Sequence, residues 1–128
     1  MIILLDTTTP VCKLTFIDDE KRQDDEWQSD RMLAKGLLGH IFELLQNQNK
    51  TWSDISAIGA LEGPGSFTGI RIGLTVMNTV ADAQNIPIVG ARGDDWQNEA
   101  LEKINAGKNE KIIMPFYGSE ANITAARK

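Results

Sequence analysis

Ile2–Leu5 is an unbroken apolar run that ends in Asp6 and three threonines, the pattern of a buried central strand emptying into a polar turn. Val11–Ile17 alternates instead, with Val11, Leu14 and Phe16 apolar and Lys13 and Thr15 polar, which predicts a hairpin partner with one buried face. Beyond a turn at Asp18-Asp19-Glu20, Lys21–Gln28 predicts a third, polar strand whose charges protect a sheet edge. From Ser29 or Asp30, either able to N-cap, the period becomes helical to about Gln48. Leu33, Ala34, Leu37, Leu38, Ile41, Leu44 and Leu45 then share one broad arc. The opposite face holds Lys35, Gly36, Gly39, Glu43 and Gln46. The two glycines weaken the helix by roughly 1 kcal/mol each relative to alanine, so either another backbone comes close there or a weak turn is tolerated.

Ile55–Leu61 predicts the next strand, ending at Glu62 and the loop Gly63-Pro64-Gly65-Ser66. Ser66 or Thr68 opens a second helix to about Asn85, in which Ile70, Ile72, Leu74, Val76, Met77, Val80, Ala81 and Ala83 cover more than half the circumference. An arc so wide requires two neighbours: a sheet on one side, and the first helix or another subunit on the other. Pro87–Gly90 predicts a strand, and Asp94 or Asp95 caps a third helix running to about Ala106 and closed by Gly107. A strand at Ile112–Tyr117, a turn at Gly118-Ser119 and a strand at Ala121–Ala126 complete the expectation. The order βββ-α-β-α-β-α is that of the ribonuclease H-like fold and of each lobe of actin/Hsp70-type ATPases, an α/β class with a mixed sheet.

Composition narrows the chemistry. With 128 residues, 41% of them hydrophobic and 24% charged, the chain fits one globular domain. No apolar run approaches the roughly 20 residues of a membrane-spanning helix. The N-terminus lacks a basic n-region and an extended apolar h-region, which predicts a cytoplasmic protein. The net charge of −5 leaves no basic excess for direct nucleic-acid binding. The one cysteine, Cys12, excludes an internal disulfide and reads as a buried thiol; the one histidine, His40, excludes a His–His metal pair.

Gly63-Pro64-Gly65-Ser66-Phe67-Thr68-Gly69-Ile70-Arg71-Ile72-Gly73 is the most informative stretch, a glycine-rich strand-to-helix loop. Its amides at a helix N-terminus would cradle an anion, or it is a tight structural turn. The phosphate-binding Gly-x-x-x-x-Gly-Lys-[Ser/Thr] pattern fails, because no lysine lies in the loop or its helix. Gly-x-Ser-x-Gly fails as well, with Pro64 and Thr68 in the glycine positions and no base evident for Ser66. Asp6 and Glu62 end strands and pose the alternative of a metal-dependent ribonuclease H-like nuclease, completed by Glu43, Asp82 or Asp94. Against it, Asp6 caps the Thr7–Thr9 turn and Glu62 is a solvated loop charge.

Ile3-Leu4-Leu5-Asp6-Thr7-Thr8, Gly63 through Gly73 and Ile86-Pro87-Ile88-Val89-Gly90 lie in register over residues 1–92. Through these segments the chain resembles the TsaB family, whose GPGSFTGxRxG loop the central one follows. The resemblance implies a non-catalytic subunit of the bacterial complex that makes threonylcarbamoyladenosine beside the anticodon of tRNA. It implies an actin-like lobe that docks on the catalytic subunit TsaD through its first two helices, with a TsaE-type ATPase as a further partner; separately, because one helix face can serve both, a homodimer is a candidate state without the partner. The chain needs no cofactor or metal of its own in that scheme, and tRNA is held through the other subunits. The expected interface is Met32, Gly36, Gly39 and Glu43 with Ile70, Leu74, Met77 and Ala81. Gly63, Pro64, Gly65, Ser66, Thr68 and Gly69 form the anion-binding or structural loop.

Typical TsaB members are nearly twice as long and add a second lobe with Asp-Ala-Arg and Glu-Val-Tyr patterns. Met114–Ile123 stands roughly in that place without them, and Leu33 falls near the position of a histidine often found in the first helix. The expectation is a one-lobed member, natural or truncated: residues 1–107 form the lobe, and 108–128 a short β tail, remnant of or replacement for the second lobe. Such a chain closes no nucleotide cleft between lobes. A stand-alone homodimeric binding module is the other alternative.

Overall fold

In β1 (Ile2–Asp6), Ile3 and Leu5 face one side and Leu4 the other, and all three are buried, so both faces of the sheet must be covered. The computed structural model, which describes residues 1–117, shows how. β2 (Val11–Asp18) pairs antiparallel with β1, placing Leu5 opposite Leu14 and Asp6 opposite Lys13. β3 (Lys21–Gln28) continues the meander, while β4 (Ala57–Leu61) and β5 (Ile88–Ala91) add in parallel on the other side, giving the order β3-β2-β1-β4-β5.

Helices α1 (Leu33–Asn47) and α2 (Phe67–Gln84) cover the Ile3 and Leu5 side. There Cys12, Phe16, Ile58 and Ile88 join Leu37, Ile41, Leu45, Leu74 and Met77 in one apolar cluster. Helix α3 (Trp96–Asn105) covers the other face, packing Trp96 and Ala100 on Leu4, Val89 and Ala91. The layer is thin: a Cβ on Gly59 would lie 2.8 Å from Leu4 Cδ2 and 3.0 Å from Ala100 Cβ. The expected order of elements and the polar edge strand are therefore present. Cys12 is buried, and that burial, with Asp25 and Asp6 nearby, pushes its thiol up to about 12, a protonated and unreactive state.

Three expectations change. Ser29 and Asp30 do not cap α1; a 3-10 turn at Asp30–Met32 intervenes, and Met32 holds the N-cap position without a side-chain bond. The Ser29 hydroxyl is already donated to the Pro10 carbonyl at 3.2 Å. Asp95 precedes α3, but its carboxylate accepts from the Asn98 side chain at 2.7 Å rather than from the helix backbone.

The described part of the tail, residues 108–117, is an irregular strap and not a β element. Its side chains take the places a ladder would fill. Ile88 N–H donates to Asn109 Oδ1 at 3.1 Å, and Gly90 N–H donates to Glu110 Oε1 at 2.6 Å. Burial pulls the Glu110 carboxyl up, yet the Gly90 N–H, Lys103 and Lys108 outweigh it and hold the group below its ordinary range. Asn78 then clamps the buried Ile113, donating to its carbonyl at 3.0 Å and accepting its N–H at 2.9 Å. With both β5 and Ile113 paired this way, the edge is closed without a sixth strand. The expected Gly118-Ser119 turn and Ala121–Ala126 strand lie outside the described residues.

Candidate functional site

Two places are singled out by the sequence: the loop at the carboxyl ends of the parallel strands, and the outward side of the first two helices. At the strand ends, Asp6 Oδ1 accepts both the Thr8 N–H at 2.8 Å and the Thr8 hydroxyl at 2.6 Å, so its carboxylate closes the turn that follows β1. The glycine loop seats on that turn. Ser66 N–H donates to the Thr8 carbonyl at 2.7 Å, and the Thr7 hydroxyl donates to the Gly69 carbonyl at 2.8 Å. A Cβ on Gly65 would collide with Thr8, and one on Gly69 or Gly73 with Thr7. Gly63 has φ +135, open to glycine, and a Cβ there would strike the Phe116 carbonyl. Ser66 caps α2, accepting Gly69 N–H at 3.3 Å. Gly63, Gly65, Ser66 and Gly69 are thus each committed to a neighbour, while Pro64 and Thr68 are exposed.

The carboxylates of the nuclease alternative do not converge. Asp6 serves its turn, and Glu62, whose side chain is only 14% exposed, is held by Arg92 Nε at 3.1 Å. Glu62 is therefore a packed, paired group rather than a solvated one. Among the described residues no three His, Cys, Asp or Glu side chains gather closely enough to hold a metal ion. His40 is tied to Asp25 of β3 at 2.7 Å and stacks on Trp27 at 4.6 Å, so it holds α1 to the edge strand and is not a base for Ser66.

The helix face differs from the expected interface in one half. Ile70, Leu74, Met77 and Ala81 are buried in the core, none more than 3% exposed, and offer no docking surface. Their spacing of four, three and four is the most apolar seam of α2, so the sheet claims it and turns the weaker flank outward. On α1, Met32, Gly39 and Glu43 are exposed. Gly36 is covered by Trp27, whose ring would lie 2.9 Å from an added Cβ, while Gly39 has nothing within 4 Å. The glycine question therefore has two answers: an aromatic ring, not a backbone, approaches Gly36, and Gly39 is a tolerated weak position. Glu43 lies with Gly36 and His40 in a shallow groove beside Trp27.

What α1 and α2 present between them is another set. A groove of about 370 Å³ is lined by Ala34, Thr68, Arg71, Ile72, Thr75 and Val76. A second of about 420 Å³ is lined by residues including Leu38, Phe42, Trp52, Thr79 and Ala83. Leu38 and Phe42 are 46% and 42% exposed, well beyond the usual burial of such side chains. Thr79 donates its hydroxyl to the Thr75 carbonyl at 2.8 Å, which turns that donor back onto its own helix. The helical spacing Ala34, Leu38, Phe42 was the sequence signal for this stripe. No helix among the described residues is long and apolar enough to cross a membrane.

Comparison with known proteins places this geometry. The family model described as "TsaD: tRNA N6-adenosine threonylcarbamoyltransferase" matches residues 28–92. The tRNA threonylcarbamoyladenosine biosynthesis protein TsaB of Buchnera aphidicola is 26% identical over 112 residues, covering 82% of this chain and 51% of that protein. A tRNA N6-adenosine threonylcarbamoyltransferase of Bacillus anthracis is 32% identical over 89 residues, covering 60% of this chain and 26% of that enzyme. The solved structure of YeaZ from Pseudomonas aeruginosa superposes with a TM-score of 0.66 at 28% identity, covering 71% of this chain and 43% of that one. The chain spans about half, or less, of the length of the relatives it matches.

Proposed function

We propose that this chain, which belongs to the TsaB family within the group described by the TsaD model, is a non-catalytic, structural and activating subunit in the making of threonylcarbamoyladenosine on tRNA. It docks on a TsaD-type catalytic subunit through the outward stripe of α1 and α2 and works in the cytoplasm. The TsaE-type ATPase and tRNA join through that complex. Chemistry at the adenylate belongs to the partner, because the loop at the strand ends has Ser66, Thr7 and Asp6 occupied within the fold.

The observation that carries the reading is the pair of largely apolar grooves between α1 and α2, with Leu38 and Phe42 left open beside a sheet that is otherwise covered. A face like this, built from helices and bordered by polar residues, suits a helical partner. The stand-alone homodimer is the second reading, supported by the same face, since one stripe serves a copy when the partner is absent.

Size-exclusion chromatography with light scattering, on this chain alone and mixed with TsaD from the same genome, tests the proposal. A one-to-one species is expected. A homodimer that persists and ignores TsaD overturns the docking assignment and favours the binding module.

A further inference from the structure

The two helices run in the same direction across the outer face. Met32 of the turn before α1 shares a groove with Ser66 and Thr68 at the start of α2, while Leu38 and Phe42 share another with Thr79 and Ala83 near its end. The face therefore has a leading end and a trailing end, and charge is not evenly divided between them. Arg31 and Arg71 line grooves at the leading end, and Lys35 follows Ala34 on exposed surface of α1. None of these three makes an ion pair among the described residues, and neither do Lys13, Lys21 and Lys111, whereas Arg22, Lys50, Arg92, Lys103 and Lys108 do; Arg31 and Arg71 differ from the other unpaired cations in lining adjoining grooves. Arg71 rests over the Phe67 ring at 5.3 Å. Asp30 is the nearby acid in the chain, and it accepts from the Gln28 side chain at 2.8 Å. In a protein of net charge −5, a corner with three unpaired cations is a local reversal of sign.

We propose that Arg31, Lys35 and Arg71 select and orient the docking partner: an apolar helical surface whose carboxylates meet this corner while its apolar side chains fill the stripe. The inference rests on the docking reading above and adds the partner's charge and direction. A second copy of the chain is a poorer match. Approaching in the same direction it sets cations against cations; reversed it brings Asp82 and the Glu43 that borders Phe42, so self-association of the unaltered chain that is lost in a Lys35→Glu/Arg71→Glu variant overturns the proposal in favour of a second copy. The grooves bordered by these cations are lined by Ala34, Ile72 and Val76, which favours protein over the phosphate track of an RNA. Charges at the rim of an interface act mainly on the rate of association and on its salt dependence.

The test is the binding of TsaD from the same genome to the full chain at low and high salt, with Lys35→Glu/Arg71→Glu as the variant and Lys21→Glu, in the groove beside Asn47 and Gln48 at the other end of α1, as the control. The proposal expects the double variant to bind about tenfold or more weakly at low salt, mostly through a slower on-rate, with its salt dependence flattened or reversed. Equal affinity and an equal salt slope overturn the charge selection and leave the docking intact. Failure of the unaltered chain to bind at any salt overturns both. Retention of tRNA by the unaltered chain alone, lost in the double variant, makes the corner an RNA contact and overturns the proposal.

Discussion

The strand-end loop and the outer stripe of the helices meet at Thr68, at the start of α2, and use their residues in opposite ways. In the loop, the glycines yield to Thr7 and Thr8 and Ser66 caps α2, so these positions of the signature are spent inside the fold, while Thr68, Arg71 and Ile72 of the same segment turn to the outer groove. In the stripe, Ala34, Leu38, Phe42, Ile72 and Val76 are ordinary residues, yet the first three are exposed and the last two are only partly covered by the core. The comparison teaches that a specific motif need not be where a protein meets its surroundings. A backbone-to-backbone seam tolerates few residue types, because a single Cβ disrupts it, whereas an apolar stripe accepts many side chains of suitable size.

The largest effect that would break this comparison is predicted for Leu38→Glu/Phe42→Glu, both exposed positions. Two carboxylates placed in the stripe should lower affinity for TsaD by about 100-fold or more, roughly 2.7 kcal/mol, while thermal unfolding of the free chain stays close to that of the parent. Preserved binding, measured by calorimetric titration, would move the interface elsewhere.

Gly69→Val is predicted to do the reverse. Its Cβ would meet the Thr7 carbonyl, and overpacking of this kind costs about 1–3 kcal/mol, seen as a lower urea midpoint. Affinity per folded molecule should be unchanged; a stable variant that loses binding would make the loop part of the interface.

The smallest effect separates the two glycines of α1. Gly39→Ala should gain about 0.5–1 kcal/mol from helix propensity because the position is open. Gly36→Ala should gain less or lose stability, because Trp27 stands in the way. Paired denaturation curves check the difference, and equal gains would remove the Trp27 constraint.

Much of the fold is legible in the residues. The alternation of Val11–Ile17, the charges of Lys21–Gln28 and the helical period after Leu33 identify their elements because burial writes a period into each. The site is legible only in outline. The apolar arc of α2 was visibly too wide for one neighbour, and the sheet takes its most apolar seam, a choice that only a comparison of the flanks within the arc would have shown. Ile70, Leu74, Met77 and Ala81 look like surface-capable residues until the packing seats them against β1, β4 and β5. Asn109 and Glu110 carry no strand signal, yet their side chains close an edge that a ladder was expected to close.

By itself the sequence determined the order of strands and helices, the buried cysteine, the polar edge and the family likeness, since each rests on local period or on a contiguous motif. Tertiary structure alone decided that Trp27 fills the space over Gly36, that Glu62 is paired with Arg92, and that Arg31 and Arg71 line adjoining grooves that share Thr68 and Ile72. Those facts depend on distances between residues far apart in the chain, and only the packing of the layers sets such distances.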